Sequence, residues 1–164
     1  IVVSGGGVVS IPGGIELGSG TDATPAGNIL DDYEEGVFTP TISQGVTISS
    51  YAIQVGHYTK IGNQVLAYVY ILATSSSSTG SSLIVGGLPF ANNSTSYNEG
   101  GGYITYMNGT FGTNVSAPEF HPMPWVPTSQ SYVIFHTPED GNNVLGNQTN
   151  FANKYLIFQI RYHV

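Results

Sequence analysis

The sequence predicts an all-β protein, an antiparallel and jelly-roll-like β-sandwich, and three observations support this. The helix-favouring residues Ala, Leu, Glu, Lys, Arg and Gln are scarce, whereas 11 Tyr, 7 Phe and many Val, Ile and Thr favour pleated strands. The 22 Gly and 9 Pro fall largely between short apolar runs, where they act as turn signals. The chain of 164 residues is long enough for one domain with a substantial core, and short for two.

We expect residues 1–29 to form a glycine-rich stem or linker that precedes a β-sandwich head at residues 30–164. The stem holds three short strand-like pieces, at residues 1–3, 8–11 and 15–17. Because such pieces cannot bury a core alone, the segment is either a flexible linker or part of a fibrous stem completed by neighbouring copies. The chain begins at Ile1 without a basic leader, so we expect it to be a fragment of a longer protein.

Eight strands are predicted in the head, which is enough for two packed sheets. The stretch from Val65 to Leu72 is apolar at nearly every position, which favours a central strand that is covered on both faces. The C-terminal strand alternates between an apolar face and a partly polar one. The predicted strands are residues 37–42, 46–55, 57–61, 65–74, 82–85, 103–107, 132–136 and 155–164.

Charge and composition argue against several classes of partner. Three basic and ten acidic residues give a formal net charge of −7, so the chain cannot draw on counterion release from a phosphate backbone, and we expect no nucleic-acid partner. No apolar run approaches the roughly 20 residues of a membrane span, so we expect no membrane insertion.

Catalytic and cofactor motifs are also missing from the sequence. The chain has no Cys, no GxSxG and no HExxH, so we predict no enzymatic activity, no catalytic residue, no cofactor and no metal. Glycan hydrolysis stays open as a third functional alternative, because any two of the ten carboxylates at a suitable separation could perform it.

Four of the ten acidic residues lie within five positions, at Asp31, Asp32, Glu34 and Glu35. Such crowding is unfavourable unless the charges are solvated or bound to a cation. We interpret the segment as a one-turn helix in which Asp31 is the cap, Glu34 completes a capping box and Gly36 ends the helix. A calcium site is the alternative interpretation.

The candidate ligand site lies on two long loops, at residues 92–102 and 117–128. The second loop holds the only Trp and four of the nine Pro, so we expect it to be ordered without regular structure. Trp125 either stacks on a sugar or plugs the end of the sandwich. Since sugars need aromatic faces beside hydrogen-bonding groups, we predict a host-glycan site at the end that carries Trp125. Its candidate residues are Trp125, His121, Glu119, Tyr97 and Glu99.

Two motifs resemble a pair known from one protein family. Residues 30–42 read LDDYEEGVFTPTI and residues 56–65 read GHYTKIGNQV. They resemble the LDDYEEG-x-aromatic-TP and GYYTKIGN pair of tail-fibre and other virion proteins of bacteriophages, especially marine and cyanobacterial ones. Val37, Phe38 and His57 stand where the family usually has Thr, Trp and Tyr, and these changes preserve either size or face.

The resemblance implies a C-terminal β domain at the tip of a homotrimeric tail fibre. The domain would be joined by its stem to the rest of the fibre, on an extracellular virion. Its partner would be a host cell-surface polysaccharide or an outer-membrane protein. The alternative is a purely structural domain that caps the fibre or holds the trimer together.

The motif residues are interpreted as structural rather than ligand-binding. The acidic turn ends the stem, Phe38 enters the core, Pro40 marks an edge strand, and Lys60 pairs with one of the acidic residues. Gly62 and Asn63 form a tight turn. The set is Asp31, Asp32, Tyr33, Glu34, Glu35, Gly36, Phe38, Pro40, Tyr58, Lys60, Gly62 and Asn63.

Overall fold

The computed structural model describes residues 32–78, 82–95, 97–108, 122–136 and 152–164. For residues 75, 76 and 78, and for four two-residue strands nearer the N terminus, it describes the backbone alone. Every helix or strand in this part is a β-strand, and every strand pair is antiparallel, which confirms the all-β prediction. The strands are β1 (Val2–Val3), β2 (Val9–Ser10), β3 (Ile15–Glu16), β4 (Ile29–Leu30), β5 (Tyr33–Phe38), β6 (Thr41–Gln44), β7 (Val46–Ile61), β8 (Gln64–Ser78), β9 (Ile84–Gly86), β10 (Gly100–Met107), β11 (Met123–Val126), β12 (Tyr132–His136) and β13 (Lys154–His163).

Nine of these strands form one continuous sheet in the order β5-β7-β8-β13-β10-β11-β12-β9-β6. The edge strands β5 and β6 are separated in sequence by only Thr39 and Pro40. The sheet must therefore curl until its two edges come together, and its inner face encloses the core. The packed layers expected of a sandwich are here parts of one curled sheet. β1 pairs with β2, and β3 with β4, in separate two-stranded ladders.

The core is built from alternate residues of the central strands. The rings of Phe135 and Phe158 meet edge to face within it, with centroids 5.3 Å apart. Burial of one large apolar side chain contributes about 1.5–3 kcal/mol, so these rows are a main source of stability. β8 contributes Val65, Ala67, Val69, Ile71 and Ala73, and β13 contributes Leu156, Phe158, Ile160 and Tyr162.

The opposite face of β8 is open to solvent. β8 lies between β7 and β13, as expected of a central strand. Leu66 and Tyr68 on its outer face are nevertheless 44% and 37% exposed. The prediction that both faces are covered is therefore wrong for the described part of a single chain, because strands pack on the inner face alone.

The two sequence motifs are neighbours in the sheet, where β5 from the first motif pairs with β7 from the second. Phe38 stands opposite Gly56, and Gly36 stands opposite Tyr58. Each glycine is covered by the ring across from it, and a Cβ on Gly56 would fall within 2.6 Å of three atoms of the Phe38 ring. The two rings lie 6.4 Å apart between centroids. The glycines thus let two aromatic side chains lie flat across the strand pair.

The acidic segment is a strand, and the prediction of a one-turn helix is wrong. Tyr33–Phe38 is extended and pairs with β7 over its whole length. A one-turn helix leaves most of its backbone groups unbonded, whereas the ladder to β7 satisfies them. Asp31, the expected cap, lies outside the described residues.

Cross-strand partners accommodate the crowded acidic charges. Lys60 forms an ion pair with Asp32, as the sequence predicts. Lys60 is 8% exposed, so this pair sits at the margin of the core. The Tyr58 hydroxyl donates to the Glu34 carboxylate, and this hydrogen bond raises the pKa of Tyr58.

Two strand boundaries differ from the sequence prediction. The single strand expected at 37–42 is broken at Pro40, which is buried between β5 and β6 and has no N–H for a ladder. The two strands expected at 46–55 and 57–61 are one strand, because β7 continues through Gly56. Gly62, with φ +57°, and Asn63 form the two-residue turn to β8, as expected.

The proline-rich segment contains a strand that the sequence analysis missed. Met123–Val126 pairs with both β10 and β12, so the expectation of no regular structure is wrong here. The ladder to β10 reaches only Val126 and Trp125, so Pro124 lies beyond it and needs no N–H on that side. Pro124 and Val126 are buried, whereas Trp125 between them takes the outer face.

Candidate functional site

The uncovered outer face carries a polar and aromatic row across three neighbouring strands. Tyr103 of β10 stands opposite Gln159 of β13, which stands opposite Tyr68 of β8. Directly opposed residues of antiparallel strands lie on the same face, with Cβ atoms about 4.5–5.5 Å apart. The Tyr103 hydroxyl donates to Gln159 Oε1 at 2.6 Å, and the Tyr103 side chain is 60% exposed.

The next row contains a position without a side chain. Trp125 of β11, Gly101 of β10, Arg161 of β13 and Leu66 of β8 stand in register. Because Gly101 has no side chain, an open cleft of about 270 Å³ lies over it. We call this the Gly101 cleft, and its lining residues are Leu66, Gly101, Gly102, Tyr103, Gln159, Ile160 and Arg161.

Arg161 brings a positive charge to the Gly101 cleft and has no carboxylate partner among the residues that the structure describes. With the Gln64 amide turned so that its oxygen faces the guanidinium, Arg161 Nε donates to that oxygen at 2.8 Å, and Nη2 donates to it as well. Within the described ranges, the one ion pair joins Lys60 and Asp32.

The acidic residue in the Arg161 row is too far away to neutralise this charge. Glu35 stands three strands from Arg161, through Thr59 and Leu66. At about 4.8 Å per strand the separation is about 14 Å, which exceeds the Debye length of about 8 Å at physiological salt. Glu99, two positions before Gly101 and about 7 Å away along the chain, is the nearer described carboxylate, and it forms no ion pair with Arg161.

Trp125, the centre of the predicted site, lies next to the Gly101 cleft. Its side chain is half-buried, and its ring packs edge to face against His136 with centroids 4.8 Å apart. Its neighbours Pro124 and Val126 take the inward positions, so Trp125 lies on the outer face of β11. The choice between a sugar platform and a plug at the end of the sandwich stays a prediction.

A buried asparagine anchors the loop that carries the other predicted residues. Asn92 is 2% exposed, and its side-chain amide donates to the carbonyl oxygens of Asn98 and Val126 at 3.0 Å and of Pro127 at 3.2 Å. Its side-chain oxygen accepts from the backbone N–H of His163 at 3.3 Å. The loop is thus fixed against the ends of β11 and β13.

The remaining predicted site residues are only partly placed. Tyr97 is 97% exposed and has φ +67°. Glu99 is exposed and directly precedes Gly100, which pairs with Val126, so Glu99 lies at the strand end nearest Trp125. His121, Glu119 and the loop at residues 139–150 lie outside the described residues.

The sequence analysis missed all seven lining residues of the cleft. Alternation along residues 155–164 separates Gln159 and Arg161 from the core face, and this signal was present in the sequence. The run of glycines before Tyr103 marked a gap in the side chains of one strand. No sequence signal placed these strands side by side, so the cleft itself could not be predicted.

The described residues contain no group of three His, Asp or Glu side chains placed to hold a metal ion. They contain no helix with the length and apolar character needed to cross a membrane.

Comparison with solved structures gives a match by fold. The crystal structure of Dettilon tailspike protein (gp208) matches with a TM-score of 0.60 and 20% sequence identity, over 80% of this chain and 24% of that chain. The fold is similar to part of a tailspike. The chain thus spans about a quarter of the tailspike's length. No protein-family model and no curated protein matches the sequence.

Proposed function

We propose that the protein is a host-attachment domain of a bacteriophage tail spike or tail fibre, and that it binds host cell-surface glycan on its outer face. The observation that carries this proposal is the Gly101 cleft, an open site beside an exposed aromatic ring. Sugars stack their CH faces on aromatic rings, and their hydroxyls must replace the contacts with water that they lose. The tail-fibre-like motifs and the tailspike-like fold support the location on a virion.

The lining of the cleft supplies both kinds of contact that a sugar needs. Tyr103 offers an exposed ring, and Trp125 lies on the other side of Gly101. Gln159 and Arg161 offer N–H donors. At about 270 Å³ the cleft is slightly smaller than the roughly 300–1,000 Å³ of drug-sized sites. It therefore suits one sugar unit of a longer chain that lies across the face.

Filling the cleft tests the proposal without disturbing the core. A Cβ on Gly101 would meet only the Pro124 carbonyl oxygen, at 3.7 Å, and a β-branched residue suits a strand. Gly101→Val should therefore fold normally and block the cleft. The matched control is Thr47→Val, which adds Val at an exposed position opposite Ser77 of β8, about 36 Å along that strand from Leu66.

The assay measures binding of a fluorescent fusion to a panel of bacterial cells and to polysaccharide extracted from the cells that bind. We expect Gly101→Val to lose at least tenfold in binding at unchanged melting temperature, and Thr47→Val to bind like the parent. Undiminished binding by folded Gly101→Val would reject the site, and absence of polysaccharide binding by the parent would reject the function.

A structural role without a ligand is the second candidate, and an exposed apolar patch on β5 and β7 favours it. Tyr33, Val37 and Ile61 are 56%, 66% and 53% exposed, and such patches commonly mark contact surfaces.

A homotrimer would cover these three side chains whether the domain binds a glycan or serves only as a structural part. Light scattering should then give three times the 17.3 kDa of one chain, and Val37→Asp should lower the measured mass. A trimer that binds no cell surface would favour the structural role.

A further inference from the structure

We propose that the Gly101 cleft selects anionic sugars, which carry a carboxylate or sulfate group, and that Arg161 is the residue that recognises this group. The inference rests on the proposed attachment function and specifies the class of glycan. It follows from the charge balance of the chain, from the hydrogen bonds that orient the guanidinium, and from the set of donors left over in the cleft.

The charge balance makes Arg161 exceptional in this chain. The sequence has only three basic residues, which are Lys60, Lys154 and Arg161, against ten acidic ones. Lys60 is already paired with Asp32. Because the net charge of −7 repels anions at long range, an anionic ligand is held only where a local contact outweighs that repulsion. Arg161 provides such a contact at the cleft.

A neutral side chain orients the guanidinium while leaving its charge intact. The Gln64 oxygen accepts from Nε and Nη2 of Arg161, which restrains the planar group. Among the described residues, the Nη1 hydrogens have no partner. A planar guanidinium with free hydrogens binds a carboxylate or sulfate more strongly than a neutral acceptor, because the hydrogen bonds are charge-assisted.

The second polar group of the cleft also presents donors. The Tyr103 hydroxyl donates to Gln159 Oε1, and the hydrogens of Gln159 Nε2 have no partner among the described residues. Gln159 and Arg161 are two positions apart on one face of β13, about 7 Å. The cleft itself is lined mainly by apolar surface, and its polar residues Gln159 and Arg161 supply donors that complement an acceptor-rich, negatively charged sugar.

The test is an array of oligosaccharides in matched neutral, carboxylated, methyl-esterified and sulfated forms, probed with the folded protein and three variants. Arg161→Gln removes the charge and keeps donors. Lys154→Gln is the matched control, since it removes one charge from the same strand about 23 Å away. Gly101→Val blocks the cleft. Circular dichroism melting verifies that each variant is folded.

We expect the parent to retain anionic glycans and to bind the methyl esters at least tenfold more weakly than the free carboxylates. Arg161→Gln should weaken anionic binding at least tenfold, and Lys154→Gln by less than twofold. The methyl-ester comparison needs no variant, so it decides the question even if Arg161→Gln does not fold.

The proposal and the attachment function fail in different ways. If the parent binds neutral or esterified forms as well as charged ones, and Gly101→Val abolishes that binding, then anionic selection is wrong and attachment through the cleft stands. If Gly101→Val binds every glycan like the parent, then the cleft is not the site and both proposals fail. If the parent binds no glycan, both are likewise rejected.

Discussion

Two adjacent glycines of β10 should respond in opposite ways to the same substitution. In Gly102→Ala the new Cβ would overlap the Gln159 carbonyl oxygen and would lie 2.7 Å from Ile160 Cα, so it would meet the backbone of β13. In Gly101→Ala it would lie 3.7 Å from the Pro124 carbonyl oxygen, an ordinary contact. The first change should separate β10 from β13, and the second should be tolerated.

The magnitudes follow from these contacts. Backbone atoms cannot rotate aside, so β10 must move by more than about 1 Å, which costs about 1–3 kcal/mol of strain. Loss of two ladder hydrogen bonds adds about 0.5–1.5 kcal/mol each. Replacement of Gly by Ala within a strand returns about 0.5–1 kcal/mol. Gly102→Ala should therefore lower the free energy of unfolding by about 1–5 kcal/mol, and Gly101→Ala should raise it by up to about 1 kcal/mol.

Urea denaturation is the suitable assay, followed by circular dichroism and by fluorescence of Trp125, the only Trp of the chain. Trp125 stands in register with Gly101, so it reports on the affected end of β10. Equal stability of the two variants would refute the argument. It would mean that the backbone of β13 does not lie close to Gly102 while the space beside Gly101 is open.

Two further predictions concern buried polar groups. Burial raises the pKa of Tyr162 above the ordinary 10.0, so the unfolded chain loses this proton first and stability should fall as the pH rises past 10. The Tyr162 hydroxyl lies near the backbone of Phe90, but the two groups do not meet the geometry of an ordinary hydrogen bond. Tyr162→Phe should therefore be up to about 1 kcal/mol more stable than the parent at pH 8 and should lose less stability by pH 11. Identical urea midpoints for both proteins across this pH range would contradict this prediction. Asp32→Asn should cost about 1–2 kcal/mol because it leaves Lys60, 8% exposed, without its partner, and the added change Lys60→Met should restore part of that loss in thermal melts. A double variant no more stable than Asp32→Asn would show that the loss does not come from the unpaired charge of Lys60.

The sequence by itself determined the fold class and the strands whose signal is local. The strand at 132–136 and the C-terminal strand are found almost where alternation predicts them, because a period of two needs no knowledge of the partner strand. The Lys60 pairing and the turn at Gly62 were also within reach, since both lie inside recognisable motifs.

Only the tertiary structure decided how the acidic and proline-rich segments behave. The capping pattern at 31–36 is a valid helix signal. In the folded chain, however, β7 pairs with Tyr33–Phe38 over its whole length, and the Tyr58 ring of β7 packs over Gly36. Met123–Val126 becomes a strand because β12 pairs with it along most of its length, which outweighs the two prolines around Trp125.

The Gly101 cleft belongs entirely to the tertiary level. Gly101 lies 60 positions from Arg161 and 35 from Leu66 in the sequence, and the three meet because β10 and β8 both pair with β13. That pairing is determined by the free energy of burying the apolar faces of all nine strands together. This free energy depends on the whole sheet, so no single segment of sequence reveals it. Composition and alternation determine which face of each strand is exposed to solvent, whereas the strand order determines which exposed residues become neighbours.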